Sequence, residues 1–81
     1  MQVRLLLFAG LKELVGKEVL GLELKPGARV QDALDQLLKE HPAASPLRSS
    51  LRAAIDLEYA ELDAVLSEGV ELALIPPVGG G

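Results

Sequence analysis

The stretch that decides the fold is residues 30–41, VQDALDQLLKEH, because it carries a clear helical period. Its apolar residues recur at intervals of three and four, which places them in one stripe, and the polar residues cover the opposite side. Pro42 biases His41 away from helical dihedral angles and so predicts where this helix ends. Arg29 falls at the expected N-cap, where an arginine is a poor choice. We therefore predict a surface helix with one buried face.

The segments before and after this helix alternate apolar and polar residues, which is typical of strands. The predicted strands are residues 2–8, 18–24, 51–56, 59–62 and 70–75. Residues 10–16 and 63–66 are expected to form short turns of helix, residues 42–50 a loop, and Leu57-Glu58 the tip of a tight hairpin. The last strand must end at Pro76-Pro77, because a proline nitrogen cannot donate to a β-ladder.

Strands that outnumber one main helix predict a two-layer α+β domain, with a mixed β-β-α-β-β sheet covered by that helix. If the first and last strands are central neighbours, they run parallel, which gives the ubiquitin-like β-grasp arrangement. We expect this domain to span residues 1–75 and to be followed by a flexible tail, residues 76–81. The second face of the first strand, which carries Leu6 and Phe8, is also mostly apolar. It is therefore expected to be covered, either by a central position or by a partner.

Composition excludes several classes of function. The 81 residues carry a net charge of −4 and scattered basic residues, so we expect no nucleic-acid partner. Cysteine is absent, which removes disulfides and thiolate metal sites, and no metal or cofactor site is indicated. The longest apolar run is far shorter than a membrane span, so we expect a cytoplasmic protein without a membrane partner. His41, the single histidine, is expected to be a solvated cap, and the sequence indicates no catalytic side chains of its own.

The carboxyl-terminal end carries the chemically suggestive feature. Residues 76–81 read PPVGGG directly after a core strand. The prolines favour an extended geometry, and the glycines, which lack side chains, can thread a narrow tunnel and bring the terminal carboxylate to a deep site. Six residues span at most about 20 Å. The alternative is a frayed end or an expression scar without function.

The sequence resembles the small, sulfur-carrying subunits of molybdopterin synthase, which are ubiquitin-like β-grasp proteins related to the thiazole sulfur carriers. The matching stretches are Phe8–Gly16, Val30–Leu38 and Glu68–Gly81. The Phe-Ala-x-x-Lys-Glu piece and the Pro-Pro-Val tail that ends in glycines are the specific parts. Departures include Arg29 before the helix, the hairpin tip, and Gly79, where a small side chain is more usual.

The resemblance implies a mechanism. An activating enzyme uses ATP to adenylate the carboxylate of Gly81, and sulfur from a donor protein then replaces AMP to give a thiocarboxylate. The carrier docks on the large, catalytic subunit of the synthase and donates sulfur to a pterin precursor of the molybdenum cofactor. The carrier itself binds no cofactor. The residues implied to enter the partner are Pro76, Pro77, Val78, Gly79 and Gly80.

The resemblance also implies that Phe8, Lys12 and Ile75 contact the larger partner. Ordinary core packing for Phe8 and Ile75, and a solvated lysine at Lys12, are the alternatives. Other readings of the whole chain also stay open. It can be a sulfur carrier for thiamine, tRNA thiolation or cysteine synthesis, a protein modifier that forms an isopeptide bond through Gly81, or an interaction module with passive glycines.

Overall fold

The computed structural model describes residues 1–77 and contains a strand in each of the five predicted places. Strand and helix limits differ from the predicted ones by one or two residues, as is usual for element ends. In chain order the elements are β1 (Gln2–Leu7), α1 (Ala9–Val15), β2 (Val19–Glu23), α2 (Val30–Glu40), a 3₁₀ helix (Pro42–Ser50), β3 (Arg52–Ile55), β4 (Glu58–Ala60) and β5 (Glu71–Ile75).

The sheet has the strand order β2-β1-β5-β3-β4 within residues 1–77. The central pair, β1 and β5, is parallel, and the other neighbours are antiparallel. This confirms the predicted mixed sheet and the ubiquitin-like β-grasp arrangement. Because β1 and β5 run in the same direction, their carboxyl ends lie at the same edge of the sheet.

The core lies between one face of the sheet and the apolar stripe of α2. Alternate residues of the two central strands point into it, which leaves the intervening residues on the opposite face. The core residues from these three elements are Val3, Leu5, Leu7, Leu72, Leu74, Val30, Ala33, Leu34, Leu37 and Leu38. The helix therefore covers one face of the sheet, as its sequence period predicts.

Arg29 is the N-cap of α2, and the structure shows why an arginine works there. The backbone N–H groups of Val30 and Gln31 donate to carbonyl oxygens of segment 61–66 at 3.0 and 2.9 Å, so they need no capping side chain. The guanidinium Nη1 of Arg29 donates to the carbonyl oxygen of Asp63 at 2.7 Å. The start of the helix is thus satisfied by a distant part of the chain.

Two predictions outside the strands are wrong. Residues 42–50 are a 3₁₀ helix rather than a loop, because prolines preset the backbone near helical angles and Ala44 is buried in the core. Residues 63–66 do not form a turn of helix. Instead Val65 makes an isolated antiparallel bridge to Arg29, because the open N–H groups of α2 draw this segment into pairing.

The hairpin between β3 and β4 exists, but its tip is Asp56-Leu57 rather than Leu57-Glu58. Asp56 has φ 48° and Leu57 has φ 75°. Two successive positive φ angles are typical of the type I′ turn, whose twist matches that of the flanking strands. This turn usually contains asparagine or glycine, so Asp56 and Leu57 did not indicate in the sequence which two residues form the tip.

Candidate functional site

The face of the sheet opposite α2, called the open face below, carries an apolar row that crosses all five strands of the described chain. The register pairs Val19 with Leu6, Leu6 with Ala73, Ala73 with Ala54, and Ala54 with Tyr59. Side chains of paired residues lie on the same face, so the five residues form one continuous line. The predicted apolar second face of β1 is therefore part of a larger apolar surface.

Charged residues lie on the same face, two residues along the strands on either side of this row. On one side, Arg4 Nη2 donates to Glu71 Oε2 at 2.6 Å, so these two charges neutralise each other. On the other side, Arg52 pairs in register with Ile75. A groove of about 230 Å³ runs over the open face, and Phe8 and Leu57 line it together with residues of the row. An apolar strip bordered by charges is typical of a protein-binding surface.

Phe8 follows β1 directly and is the N-cap of α1. Its carbonyl oxygen accepts from the N–H groups of Leu11 and Lys12 at 3.1 and 3.2 Å. The next residue, Ala9, has φ 48°, and this left-handed residue turns the chain from the strand into the short helix. The Phe8 side chain stays 43% exposed, lines the groove and is absent from the core. The alternative of ordinary core packing is therefore not what the structure shows.

Lys12 lies in the last turn of α1, four residues after Phe8. Its Nζ is 4.0 Å from Glu18 Oε2, and both side chains are largely exposed. An exposed ion pair of this length contributes little to stability, so it leaves the ammonium able to change partners. The proposed contact of Lys12 with a partner stays a prediction.

Ile75 ends β5 at the same edge of the sheet as Phe8, and its half-buried side chain lines the groove. Pro76 is buried and Pro77 is exposed, so the chain leaves the domain surface at Pro77. The remaining predicted site residues, 78–81, lie outside the described residues. The structure thus brings Phe8, Ile75 and the root of the tail together.

Tyr59 and Leu57 belong to this surface, although sequence reasoning did not assign them to it. Tyr59 is 79% exposed and Leu57 is 90% exposed. They stand on either side of Glu58 in the sequence, and this alternation of apolar and charged residues could have predicted that Leu57 and Tyr59 share one face. The pattern could not tell which face they occupy, because that depends on the exact hairpin tip.

Chemistry by side chains is not evident in the described part of the chain. Residues 1–77 contain no group of three or more histidine or acidic residues that could hold a metal ion. His41 is the C-cap of α2, and its backbone N–H donates to the carbonyl oxygen of Leu37 at 2.8 Å. No helix within residues 1–77 is long and apolar enough to cross a membrane.

The shifted pKa values belong to a pair at the opposite end of the sheet. The Met1 α-ammonium donates to Glu23 Oε2 at 2.5 Å, beside the start of β1. This hydrogen bond raises the pKa of the α-ammonium above its ordinary value of 8.0, although desolvation opposes the rise. The same hydrogen bond lowers the pKa of the Glu23 carboxyl below 4.5. The pair holds the amino-terminal strand in place and lies away from the groove.

Known proteins similar to this chain include sulfur carriers and modifiers. A curated relative is the molybdopterin synthase sulfur carrier subunit of Arabidopsis thaliana, 36% identical over 99% of this chain and 83% of the relative. The crystal structure of SAMP1 from Haloferax volcanii superposes with a TM-score of 0.89 at 34% identity, covering both chains completely. A curated Haloferax volcanii protein at 36% identity, with 93% of this chain and 95% of the relative covered, carries the name small archaeal modifier protein 1.

A complex of subunits 1 and 2 of molybdopterin-converting factor from Helicobacter pylori also contains this fold. Its matching chain has a TM-score of 0.69 at 22% identity and is covered completely, as is the chain described here. This level of identity shows a common fold. The ThiS family profile matches residues 5–81, which is nearly the whole sequence. The chain therefore belongs to the ThiS family.

Proposed function

We propose that this protein is a sulfur carrier, loaded at the carboxylate of Gly81, that acts as the small subunit of a molybdopterin synthase. The observation that carries the proposal is the similarity to two sulfur carrier subunits at 35–36% identity over 99% to 100% of this chain.

The chemistry requires no side chain of the carrier. In the proposed cycle an activating enzyme lets the Gly81 carboxylate attack the α-phosphate of ATP, and pyrophosphate leaves. The acyl adenylate is a good electrophile, so hydrosulfide supplied by a donor protein attacks its carbonyl carbon; the new C–S bond replaces the C–O bond to AMP, AMP leaves, and a thiocarboxylate remains. The carrier binds no cofactor, because ATP is held and consumed by the activating enzyme. The proposal includes a cytoplasmic location for the carrier and its activating enzyme.

Docking on the large subunit is assigned to the open face in this proposal. The groove includes Ile75, the last residue of β5, and the apolar row crosses that strand two residues earlier, at Ala73. A partner bound over the groove is therefore next to the root of the tail. Phe8 supplies an exposed aromatic ring to the groove, and Lys12, four residues later on α1, supplies an exposed positive charge. Aromatic side chains are enriched at protein interfaces, in line with this role.

Mass spectrometry of the loaded protein tests the proposal. Purified chain is incubated with its activating enzyme, ATP and a sulfur donor protein, and we expect the mass to rise by the difference between sulfur and oxygen. The loaded chain with the large subunit should then sulfurate the pterin precursor. A chain without Gly80 and Gly81 should fold but neither load nor transfer sulfur. His41→Ala, at the far end of α2, is the matched control and should do both.

Absence of the mass increase in the intact chain contradicts the proposal. Sulfur transfer by the truncated chain also contradicts it, because the truncated chain lacks the proposed reacting group. Loading without transfer to the pterin precursor instead points to one of the other sulfur pathways, namely thiamine, tRNA thiolation or cysteine synthesis.

A second candidate function is protein modification, which the similarity to SAMP1 favours. Here the adenylated Gly81 carbonyl is attacked by a lysine amine of a target, AMP leaves, and an isopeptide bond forms. Glu71 is the last acidic residue, so a protease that cleaves after glutamate leaves residues 72–81 as a branch on the modified lysine. Detection of that branch in the native cell supports this function, and its absence under conditions that load sulfur excludes it.

A further inference from the structure

Leu57 is both conformationally strained and almost fully exposed. Its φ is 75°, in the left-handed region that favours glycine, and the preceding residue, Asp56, has φ 48°. The side chain is 90% exposed and is not a member of the hydrophobic core. A leucine at this place therefore gains little from packing within residues 1–77, whereas glycine or asparagine fits the turn without strain.

The fold fixes where this side chain is presented. Asp56 is locked to β5, because its N–H donates to the Glu71 carbonyl oxygen at 3.0 Å and its Oδ1 accepts from the Glu71 N–H at 3.2 Å. The hairpin tip is thus held by two hydrogen bonds, and Leu57 lines the same groove as Phe8 and Ile75. Strained residues that the surrounding structure holds in place are often functional.

Leu57 and the root of the tail lie at opposite ends of the open face. Asp56 bonds to Glu71 at the start of β5, and Ile75 ends that strand four residues later. At about 3.3 Å per residue, these positions are about 13 Å apart along the strand. A partner that holds both ends of the groove cannot rotate about a single contact, so it also fixes the direction in which the tail leaves.

We propose that Leu57 is a second anchor of the carrier, which inserts into an apolar pocket of the large synthase subunit and orients the carrier on it. This inference rests on the proposed function, because the occupant of the groove is that subunit. The apolar groove is continuous from Phe8 to Leu57, and the Arg4–Glu71 pair beside it carries no net charge. The pocket is therefore apolar rather than acidic or basic.

The test compares Leu57→Asn with Val65→Asn for binding to the large subunit, measured by calorimetry. Asparagine tolerates the left-handed region, so the hairpin should stay folded. Val65 is also exposed, at 55%, but it pairs with Arg29 at the start of α2, away from the open face. Full burial of a leucine corresponds to about 10- to 100-fold in affinity, so we expect Leu57→Asn to weaken binding by that factor and Val65→Asn to change it less than about threefold.

Further measurements separate this inference from the proposed function. Leu57→Gly should weaken binding as strongly as Leu57→Asn without lowering the melting temperature, because glycine relieves the strain. Both variants should still be loaded with sulfur at Gly81, and Phe8→Ala should weaken binding by itself. If Phe8→Ala weakens binding and the Leu57 variants bind like the original chain, the inference is wrong and the proposed function stands. If the original chain neither loads sulfur nor binds the large subunit, both fail.

Discussion

Replacement of Tyr59 by alanine is the most direct test of the open face as a docking surface. Tyr59 is 79% exposed, so nearly its whole side chain can lose contact with water when a partner binds. Aromatic side chains bury 150–250 Å² each, so the change on docking is about 160 Å². At about 25 cal/mol per Å² this corresponds to about 4 kcal/mol as an upper bound. Interface hot spots reach about 2–4 kcal/mol, so we expect the dissociation constant to rise about 30- to 1,000-fold.

The same exposure predicts a small effect on the fold. Tyr59 lies on the three-residue edge strand β4 and pairs with Ala54 through one neighbouring strand only. Loss of strand propensity and of this cross-strand contact should lower the free energy of unfolding by about 1 kcal/mol or less. The predicted loss of affinity is therefore much larger than the predicted loss of stability, and the two can be measured independently.

Calorimetric titration of the large subunit, with thermal unfolding of each carrier variant, provides the assay. Tyr59→Phe is the matched control, since it keeps the ring and removes only the hydroxyl group, and it should bind within about fivefold of the original chain. The reasoning is refuted if Tyr59→Ala is folded and binds as tightly as Tyr59→Phe. That result would mean that the partner contacts another surface of the domain, and the roles given to Phe8 and Leu57 would also lose their basis.

Two further predictions concern stability. Arg29→Ala removes the hydrogen bond to the Asp63 carbonyl oxygen, so it should lower the free energy of unfolding by about 1 kcal/mol, as measured by urea titration. The control is Lys39→Ala, on the exposed side of α2, which should change the free energy of unfolding by less than about 0.5 kcal/mol. Glu23→Gln should destabilise the 81-residue chain most near neutral pH. Because folding raises the pKa of the Met1 α-ammonium, this group contributes its full stabilisation below pH 8.0 and loses it as the pH rises further. Because folding lowers the pKa of Glu23, the carboxylate contributes its full stabilisation above pH 4.5 and loses it as the pH falls further. If the free energy of unfolding differs between Glu23→Gln and the original chain by the same amount at pH 3, 6.5 and 11, the Met1–Glu23 ion pair does not stabilise the fold in this way.

The parts of the fold that the sequence predicted are those set by local periodicity. Helix α2 and the five strands follow from spacings of three or four residues and of two residues, which act over short stretches of chain. The parallel direction of the first and last strands was predicted only on the condition that they are central neighbours, and the structure shows that they are. The helix and the individual strands do not depend on which distant residues meet.

The parts that sequence reasoning missed depend on residues whose type does not indicate their backbone conformation, or on contacts between distant parts of the chain. Asp56, Leu57 and Ala9 adopt positive φ without being glycine, so the turn signals at these positions were weak or absent. Segment 61–66 does not form helix because Val65 pairs with Arg29 at the start of α2, a contact between parts of the chain far apart in sequence. The same limit applies to the candidate site, since the apolar row follows from the register of all five strands.

The parallel pairing of β1 and β5 is what couples docking to delivery in the proposed mechanism. It puts Phe8 and the root of the tail at one edge of the sheet, on strands about 4.8 Å apart. From Pro77 to the terminal carboxylate, covalent geometry allows at most about 17 Å. A docked carrier thus keeps its reacting group within that distance of Pro77, and short flexible linkers of this kind give effective concentrations on the order of 1 mM. Micromolar carrier therefore gains about three orders of magnitude in local concentration by docking, so contacts on the open face raise the rate of sulfur delivery in this mechanism even though they never touch the sulfur.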